Sequence, residues 1–544
     1  MINRNSFLLV LKSLKLILSV VLVSMVLTAC GGGGGNPTAL SSNNLNTNNN
    51  SSNNTNIDDD PDEWVEGIFL PASTFRNMCE SPVAGTSDVQ GTFVDENNFL
   101  RSHSNHTYLW YDEIVDRDPG LHATPDYFDL LKTDAVTPSG SFKDNFHFSL
   151  PTDEWIAQSQ SGISSGYGMQ VALISSSPPR QAVVAFTDPG TPATQADANL
   201  ARGAEILTID GVDVIFGADA DTLNAGLFPD SVGETHNFTV RDLNGTVRSF
   251  SMTSAVITST PVQNVKTITT PGAKVGYLLF NDHIATAESG LIDAVTQLSA
   301  DGITELVIDL RYNGGGFLDI ASELAYMIAG AGQTAGETFE EVKFNDKHPV
   351  FNPITGQTLT PVPFHSRSQG FDATVATGTL LPSLNLSRVY VLTGSGTCSA
   401  SESIMNGLLG IDVEVIQIGS TTCGKPYGFF AANNCGTTYF TIQFQGVNAK
   451  GFGDYPDGFS PANTVSDVGE LVSGCSVGDD FTAALGNPVE ARLAAALNHM
   501  DTGTCPAPSG LFAPELLKTS SLPSDYMLLN KSLWQQNRII REGP

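Results

Sequence analysis

The amino-acid sequence predicts a multidomain α/β protein with three folded parts, from its length and from two changes in apolar patterning. At 544 residues the chain is long enough for about three or four domains. Residues 63–158 have apolar side chains at helical spacing, which predicts a small N-terminal helical domain. Residues 159–255 contain short strand-like runs between turn residues, and residues 256–500 alternate strand and helix patterns. The last of these predicts an α/β domain with a mixed sheet, followed by a C-terminal extension over residues 501–544.

The α/β prediction rests on short β-branched runs with helix-like segments between them. The predicted strands are "KVGYLLF", "ELVIDL", "RVYVLTG" and "VEVIQIG", and the predicted helices are "SGLIDAVTQLSA", "FLDIASELAYMIAG" and "SASESIMNGLLG". In such sheets functional side chains tend to lie on loops that leave the strand ends. The loops after these strands are therefore the place to look for chemistry.

The first residues predict export. Arg4, Lys12 and Lys15 precede the apolar run "LILSVVLVSMVL", which is too short for a good membrane-spanning helix and is typical of a signal peptide over residues 1–30. Its end, "LTAC", resembles bacterial lipoprotein signals, which implies that Cys30 is lipidated and becomes the new amino terminus. The alternative is an ordinary signal peptide in which Cys30 has no special role.

A Gly, Ser and Asn tract over residues 31–62 has almost nothing to bury and predicts a flexible tether. Together with the lipoprotein resemblance, this implies an envelope protein of a bacterium, anchored to a membrane through Cys30 and facing the periplasm or the cell exterior. The net charge of −31 argues against nucleic acid as a partner, because a phosphate backbone requires a positive surface.

Six cysteines remain after Cys30, an even number that makes disulfides plausible in an exported protein. Six cysteines allow 15 pairings. We expect Cys423 to pair with Cys435, because the intervening "GKPYGFFAANN" has the turn residues of a hairpin. Metal binding is the rival interpretation, but the sequence has no CxxC pair or nearby His cluster, so we expect no metal and no cofactor.

Three loops of the α/β part have unusual sequences. They are the glycine loop "DLRYNGGGF" (309–317), the serine loop "TGSGTCSASE" (393–402) and the lysine loop "GSTTCGKP" (419–426). Ser399 lies at a predicted helix start, where backbone N–H groups and the helix dipole favour a developing oxyanion. Lys425 follows the next strand, and a desolvated lysine can serve as the general base that a serine needs. Glycines at 314–316 let the backbone come close enough to lend a second N–H.

These assignments have alternatives. Ser399 followed by Glu402 is a capping box, so the serine could simply begin a helix. Cys398 could be the nucleophile instead, although a reactive thiol in an oxidising compartment is easily oxidised. His283 could act as a base, although a single His is more often a packed or surface residue. Asp309 and Arg311 are expected to hold the glycine loop in place.

The three loops together resemble the S41 serine peptidases, the tail-specific or carboxy-terminal processing proteases. The family pattern is "DLR.N.GG", then "(S/T)AS.SE", then "G..T.GK", and the likeness extends over most of residues 90–500. The resemblance implies Ser399 as nucleophile and Lys425 as base. It also implies that the oxyanion is bound by the N–H of Ala400 and that of Gly315 or Gly316.

The sequence departs from that pattern in two respects. The family often has a Gln four residues after the Lys to orient it, whereas Phe429 stands here. Cys398 and Cys423, each beside a position implied to be catalytic, suggest an exported subgroup in which disulfides brace the site.

The stretch "AVVAFTDPGTPATQADANLARGAEILTIDGVDV" resembles a PDZ domain, which would occupy residues 159–255. Its carboxylate-binding loop would be "GYGM", which is Gly166, Tyr167, Gly168 and Met169. By that resemblance the module would hold an apolar C-terminal peptide tail by strand addition. Ala204 stands where the family commonly has an acidic residue, with Glu205 following.

The functional expectation is a serine endopeptidase that cleaves exported or misfolded polypeptides, so its partners would be protein and peptide substrates. The alternative is a catalytically inactive, lipid-anchored PDZ protein that only binds peptides, which the missing Gln favours. A glycan-processing function ranks last, because the sequence shows no paired carboxylates in a recognisable motif.

Overall fold

The computed structural model of the chain describes residues 64–465, 468–508 and 538–539. The predicted signal peptide, Cys30 and the tether lie outside the described residues. Within the described residues, no helix is both long and apolar enough to cross a membrane.

The first part is mainly helical. Its longest helix begins at a capping box, in which the Thr92 hydroxyl accepts the N–H of Asp95 and the Asp95 carboxylate accepts the N–H of Thr92. Phe146 and Trp155 are buried in the same apolar core as the α/β part, so the first part packs directly on the α/β part. The elements are β1 (Met78–Cys79), β2 (Val89–Gln90), α1 (Phe93–Thr107), α2 (Thr124–Asp129), β3 (Phe148–Pro151) and α3 (Thr152–Ser161), with 3-10 turns at Ala72–Thr74, Tyr111–Glu113 and Pro119–Leu121.

The second part is a β-rich module with its own core, which includes Tyr167, Val184, Leu223 and Phe238. Its elements are β4 (Ile163–Gly166), β5 (Met169–Ser175), β6 (Gln181–Thr187), β7 (Glu205–Ile209), β8 (Val212–Asp213), α4 (Ala220–Leu227), β9 (Thr235–Arg241), β10 (Val247–Thr253) and β11 (Ala255–Thr258), with a 3-10 turn at Pro192–Thr194. The main sheet has the order β10-β9-β7-β6-β5, with β8 beside β7, and β4 pairs separately with β11. Among the described residues, β5 is an edge strand of that sheet.

The third part is the predicted α/β domain. Its elements are β12 (Val262–Thr269), β13 (Lys274–Phe280), α5 (Ala287–Asp301), β14 (Glu305–Asp309), β15 (Gly316–Phe317), α6 (Leu318–Ala329), α7 (Ala331–Thr334), β16 (Thr338–Lys343), β17 (Val362–Pro363), β18 (Arg388–Thr393), α8 (Ala400–Gly410), β19 (Glu414–Gly419), β20 (Tyr427–Gly428), β21 (Ala432–Asn434), β22 (Thr437–Phe440), β23 (Phe444–Val447), β24 (Phe459–Pro461), β25 (Glu470–Val472), β26 (Gly474–Ser476), α9 (Ala491–Thr502) and β27 (Arg538–Ile539).

The central sheet has the order β12-β13-β14-β18-β19-β26. Strand β12 is antiparallel to β13 and the other neighbours are parallel, which confirms the predicted mixed sheet. Alternate residues of β13 pack on opposite faces: Leu278 and Phe280 join the core that includes α5, α6 and α8, and Tyr277 joins the core that includes α9. Burial of both faces explains why these strands read as continuous apolar runs.

The parallel register brings the carboxyl ends of β14, β18 and β19 to one edge of the sheet. The three loops that the sequence singled out leave the sheet at this edge. Smaller sheets surround it, with the orders β17-β16-β23-β20, β21-β22-β3 and β15-β27.

The disulfides differ from the expectation. The predicted Cys423–Cys435 pair is wrong: Cys423 is bonded to Cys398 and Cys435 to Cys79, and the third bridge is Cys475–Cys505. A hairpin does form, but Cys435 lies in its turn between β21 and β22, where Asn434 accepts the N–H of Asn77 next to β1. Cys423 instead precedes the hairpin and donates its N–H to the carbonyl of Thr397.

Candidate active site

Ser399 lies between β18 and α8 in an unusual backbone conformation. Its φ is 59° and its ψ is −114°, values that residues with a side chain rarely adopt, and the residue is fully buried. Such strain persists only where the surroundings enforce it, and it is concentrated at functional sites. Ala400 is the first residue of α8, so its N–H belongs to the helix amino terminus next to the Ser399 hydroxyl.

The glycine loop (309–317) holds the serine loop (393–402) through the backbone carbonyl of Asn313. That oxygen accepts the N–H of Cys398 at 3.0 Å and the hydroxyl of Ser401 at 3.0 Å. The Thr397 hydroxyl donates to the carbonyl of Leu310 at 2.8 Å. These bonds fix the residues on both sides of Ser399 against the end of β14.

The Asn313 side chain shapes the glycine loop itself. Its amide N–H donates to the carbonyl of Phe280, which leaves the amide oxygen to accept the N–H of Gly315 at 2.9 Å and that of His283 Nδ1 at 2.9 Å. Gly316 has a φ of 135°, and a Cβ there would lie 2.4 Å from the carbonyl oxygen of His283. Only glycine fits that position.

The anchoring role expected for Asp309 and Arg311 is confirmed. The buried Arg311 guanidinium donates to Asp309 at 2.8 Å, to Glu490 at 2.8 and 3.0 Å, and to Asp479 at 2.7 Å. Asp479 also accepts the hydroxyl of Tyr312. The first residues of the glycine loop are therefore held by a buried network of charges.

Glu402 joins the serine loop to the lysine loop. Its Oε2 accepts the backbone N–H of Ser399 at 2.8 Å and that of Lys425 at 2.9 Å, and its Oε1 accepts the N–H of Gly424 and the hydroxyl of Thr422. Burial raises the pKa of Glu402, while these four donors act in the opposite direction. The capping box seen in the sequence is therefore part of the site.

Lys425 is fully buried beside aromatic rings. Its Nζ lies 4.6 Å from the ring centroid of Phe146 and 4.5 Å from that of Phe429. Phe429 occupies the position where the resemblance led us to expect Gln, so an aromatic face takes the place of a side-chain amide. The preceding Gly424 has a φ of 83°, and a Cβ there would lie 2.3 Å from the carbonyl oxygen of Pro456.

The Cys398–Cys423 disulfide links the residue before Ser399 to the segment that carries Lys425. A disulfide therefore lies beside Ser399, as expected, and its bracing role stays a prediction. Cys398 as a thiol nucleophile is wrong, because its sulfur is bonded to Cys423.

His283 serves the glycine loop. It is fully buried, and burial lowers its pKa to about 3, so the ring is neutral. Its Nδ1 donates to Asn313, and its backbone N–H and carbonyl bond to Gly315 and Phe317. These contacts make it a support for the loop.

The loop over residues 166–169 joins β4 to the edge strand β5 in the β-rich module. The Tyr167 ring is buried edge-on against Phe238, and the carbonyls of Tyr167 and Gly168 accept the N–H groups of Ala193 and Asp188. The loop is thus held by the turn that follows β6.

Sequence reasoning missed the roles of Glu402, Asn313 and Phe146. Glu402 was visible as a capping-box residue, but that pattern alone does not show that it reaches Lys425. Phe146 comes from the first part of the chain, and no local pattern connects it with Lys425.

Comparison with known proteins finds a family whose sequence model covers this site. The sequence model of peptidase family S41 matches residues 274–429, a segment that contains both Ser399 and Lys425. The match supports a serine-type peptidase within this segment.

Two known proteins are similar to this chain over longer stretches. A carboxyl-terminal-processing protease from Picosynechococcus sp. is 28% identical over 274 residues, which are 49% of this chain and 56% of the relative's length. The solved structure of an S41 protease from Bacteroides fragilis has a TM-score of 0.54 at 24% identity, and the match covers 75% of this chain and 97% of that chain. The structural likeness supports the fold described above.

Proposed function

We propose that the chain is a serine endopeptidase in which Ser399 is the nucleophile and Lys425 the general base. The observation that carries the proposal is the strained, buried Ser399, whose backbone is fixed by the same carboxylate oxygen that accepts the N–H of Lys425. One rigid group therefore orients both loops.

In this mechanism the Ser399 Oγ attacks the carbonyl carbon of the scissile peptide while its proton passes to the Lys425 Nζ. The N–H groups of Ala400 and Gly316 bind the oxyanion. Gly316 is the better candidate of the two glycines, because the N–H of Gly315 donates to Asn313. Lys425 then protonates the departing amine, and water deprotonated by Lys425 hydrolyses the acyl-enzyme.

The proposal requires Lys425 to react as a neutral amine. Its complete burial disfavours the charged form. The faces of the Phe146 and Phe429 rings favour the ammonium form at this distance, so the proposal requires the effect of burial to outweigh theirs.

A test of the nucleophile compares Ser399→Ala with Ser395→Ala, a change at an exposed serine of the same loop. We expect Ser399→Ala to keep its melting temperature within about 2–4 °C, a change of about 1 kcal/mol. The variant should lose hydrolysis of an unfolded polypeptide and labelling by a fluorophosphonate. Ser395→Ala should keep both activities. Full activity of Ser399→Ala would exclude this assignment, and an unlabelled, inactive wild type would favour the peptide-binding alternative.

We also propose that the module at residues 159–255 is a PDZ domain that selects apolar carboxy-terminal tails through Gly166, Tyr167, Gly168 and Met169. The edge position of β5 supports this, because an edge strand offers unpaired backbone groups for strand addition. A peptide with a free carboxylate should bind at least about tenfold more tightly than its amide, a difference of about 1.4 kcal/mol. Equal affinities would remove tail recognition from the proposal.

We infer an exported location in a bacterial envelope, with anchoring through Cys30. Three disulfides support the export part of this proposal, because such bonds persist in oxidising compartments. Replacement of Cys30 by Ala should release the protein from membranes in a fractionation experiment.

A further inference from the structure

Strand β27, Arg538–Ile539, lies between β15 and Phe429. It pairs in parallel with β15, with Arg538 opposite Gly316 and Ile539 opposite Phe317. Ile539 also forms a parallel bridge with Phe429. One partner is thus the glycine loop, and the other is the residue whose ring covers the amine of Lys425.

The pairing places this strand on the side of β15 that carries the N–H of Gly316. His283 bonds to the carbonyl of Gly315 and the N–H of Phe317, so these groups face His283. Backbone groups of successive strand residues alternate in direction, so the N–H and carbonyl of Gly316 face the opposite side. That is the side occupied by β27, and the Gly316 N–H is the one we assign to the oxyanion.

Ile539 fills an apolar site. Its side chain is 3% exposed and belongs to the same buried cluster as Phe317, Phe429 and Trp155. An aliphatic side chain of about this size is therefore what the cleft between β15 and Phe429 accepts.

We propose that the cleft between β15 and Phe429 is the strand-binding subsite for substrate, with a pocket for an aliphatic side chain, and that Arg538–Ile539 occupies it as a built-in competitor. A substrate polypeptide pairs with Gly316–Phe317 in place of β27, so the chain is inhibited until β27 is displaced. The inhibitory part rests on the proposed peptidase function, whereas occupancy of the cleft does not.

The test of inhibition uses the full chain with Ile539→Asp, which places a charge in an apolar site. We expect its kcat/KM on an unfolded polypeptide to rise at least about tenfold, equivalent to about 1.4 kcal/mol, mainly through a lower KM. Ile539→Val should behave like wild type, and Val350→Asp, a change at an exposed aliphatic residue, should have no effect. Ile539→Ala provides a second readout if the charged variant is unstable.

The test of occupancy does not need catalysis. A labelled peptide with the sequence of residues 534–544, acetylated and amidated, is titrated against the full chain carrying Ser399→Ala and Ile539→Asp. We expect saturable binding by fluorescence anisotropy, and binding at least about tenfold weaker when Asp replaces the first Ile of the peptide. The same peptide should inhibit the Ile539→Asp enzyme competitively.

Failure of the inhibition inference and failure of the peptidase proposal give different results. An active wild type whose rate is unchanged or lowered by the Ile539 substitutions, together with no peptide binding, overturns the inference and leaves the peptidase proposal intact. Peptide binding to a protein that hydrolyses nothing supports occupancy of the cleft and overturns the peptidase proposal.

Discussion

Glu402 accepts the backbone N–H of Lys425 at 2.9 Å through the same carboxylate oxygen that accepts the N–H of Ser399. Both proposed catalytic residues are therefore positioned through their main chains by one buried side chain. A positioning residue of this kind changes the geometry of the site without touching substrate.

The first prediction concerns Glu402→Gln. The Gln side chain has the same size, but an NH2 group replaces one acceptor oxygen. That NH2 group is a donor and would face the backbone N–H donors that the oxygen now accepts. We expect kcat to fall by about 10²-fold, because small misplacements in a site can cost that much, with a smaller change in KM. Steady-state kinetics check this, with Glu337→Gln at an exposed position as the control. An unchanged kcat would show that the carboxylate is not needed for positioning.

The second prediction concerns Lys425→Arg. The variant keeps a basic group at this position, but a guanidinium stays protonated and cannot accept the serine proton. We expect no turnover and no fluorophosphonate labelling, whereas the exposed Lys450→Arg should retain both. Near-normal turnover by Lys425→Arg would point to another base, for which His283 is the candidate from the sequence.

The third prediction compares two disulfides that close loops of similar length, with sequence separations of 25 and 30 residues. Replacing both cysteines of either pair by Ser should lower the free energy of unfolding by about 3 kcal/mol. Only loss of Cys398–Cys423 should also lower kcat, because that bridge adjoins Ser399. Thermal unfolding and kinetics on both double variants test this, and equal kcat values would remove the bracing role from that bridge.

Much of this site was predictable from the sequence because its parts follow strands with strong local signals. The runs before the three loops are apolar and β-branched, and parallel pairing then brings their carboxyl ends together. Ser399 and Lys425 could be selected on that basis. The PDZ and lipid-anchor assignments remain predictions.

Other features depend on contacts between distant segments. The predicted hairpin between Cys423 and Cys435 does form, but a hairpin pattern does not determine which cysteines are bonded. Cys435 is bonded to Cys79, which is 356 residues away in the sequence. The pairing of Arg538–Ile539 with β15 involves only two residues, too few for any periodicity to reveal.

The fourth prediction concerns the buried carboxyl groups of Glu288 and Glu323. Burial, followed by the nearby charge of Glu288, raises the pKa of Glu323 to about 9. Its unfolded value is about 4.3, so the folded state binds the proton more tightly and the protein loses stability as pH rises from about 4 to about 9. Glu323→Gln removes this dependence and should stabilise the protein at pH 8 by on the order of 2 kcal/mol. Melting temperatures at pH 5 and pH 8 test it, and an equal pH dependence in variant and wild type would contradict it.

The fifth prediction concerns Asp479, which joins the β-rich module to the glycine loop. Its carboxylate accepts Arg202 of the module at 2.7 Å and Arg311 at 2.7 Å. Burial alone would raise the pKa of Asp479, but the charges of Arg492, Arg311 and Arg202 outweigh it and hold the pKa well below its usual range.

Because the folded pKa of Asp479 is depressed, its stabilising contribution is present above the unfolded value of about 3.9 and is lost as pH falls below it. Asp479→Asn should therefore cost about 3 kcal/mol or more at pH 7, since it leaves buried guanidinium groups without their counter-charge. The difference in melting temperature between variant and wild type should shrink as the pH is lowered from 5 to 3. A difference that stays constant over that range would mean that the charge of Asp479 does not hold the module and the loop together.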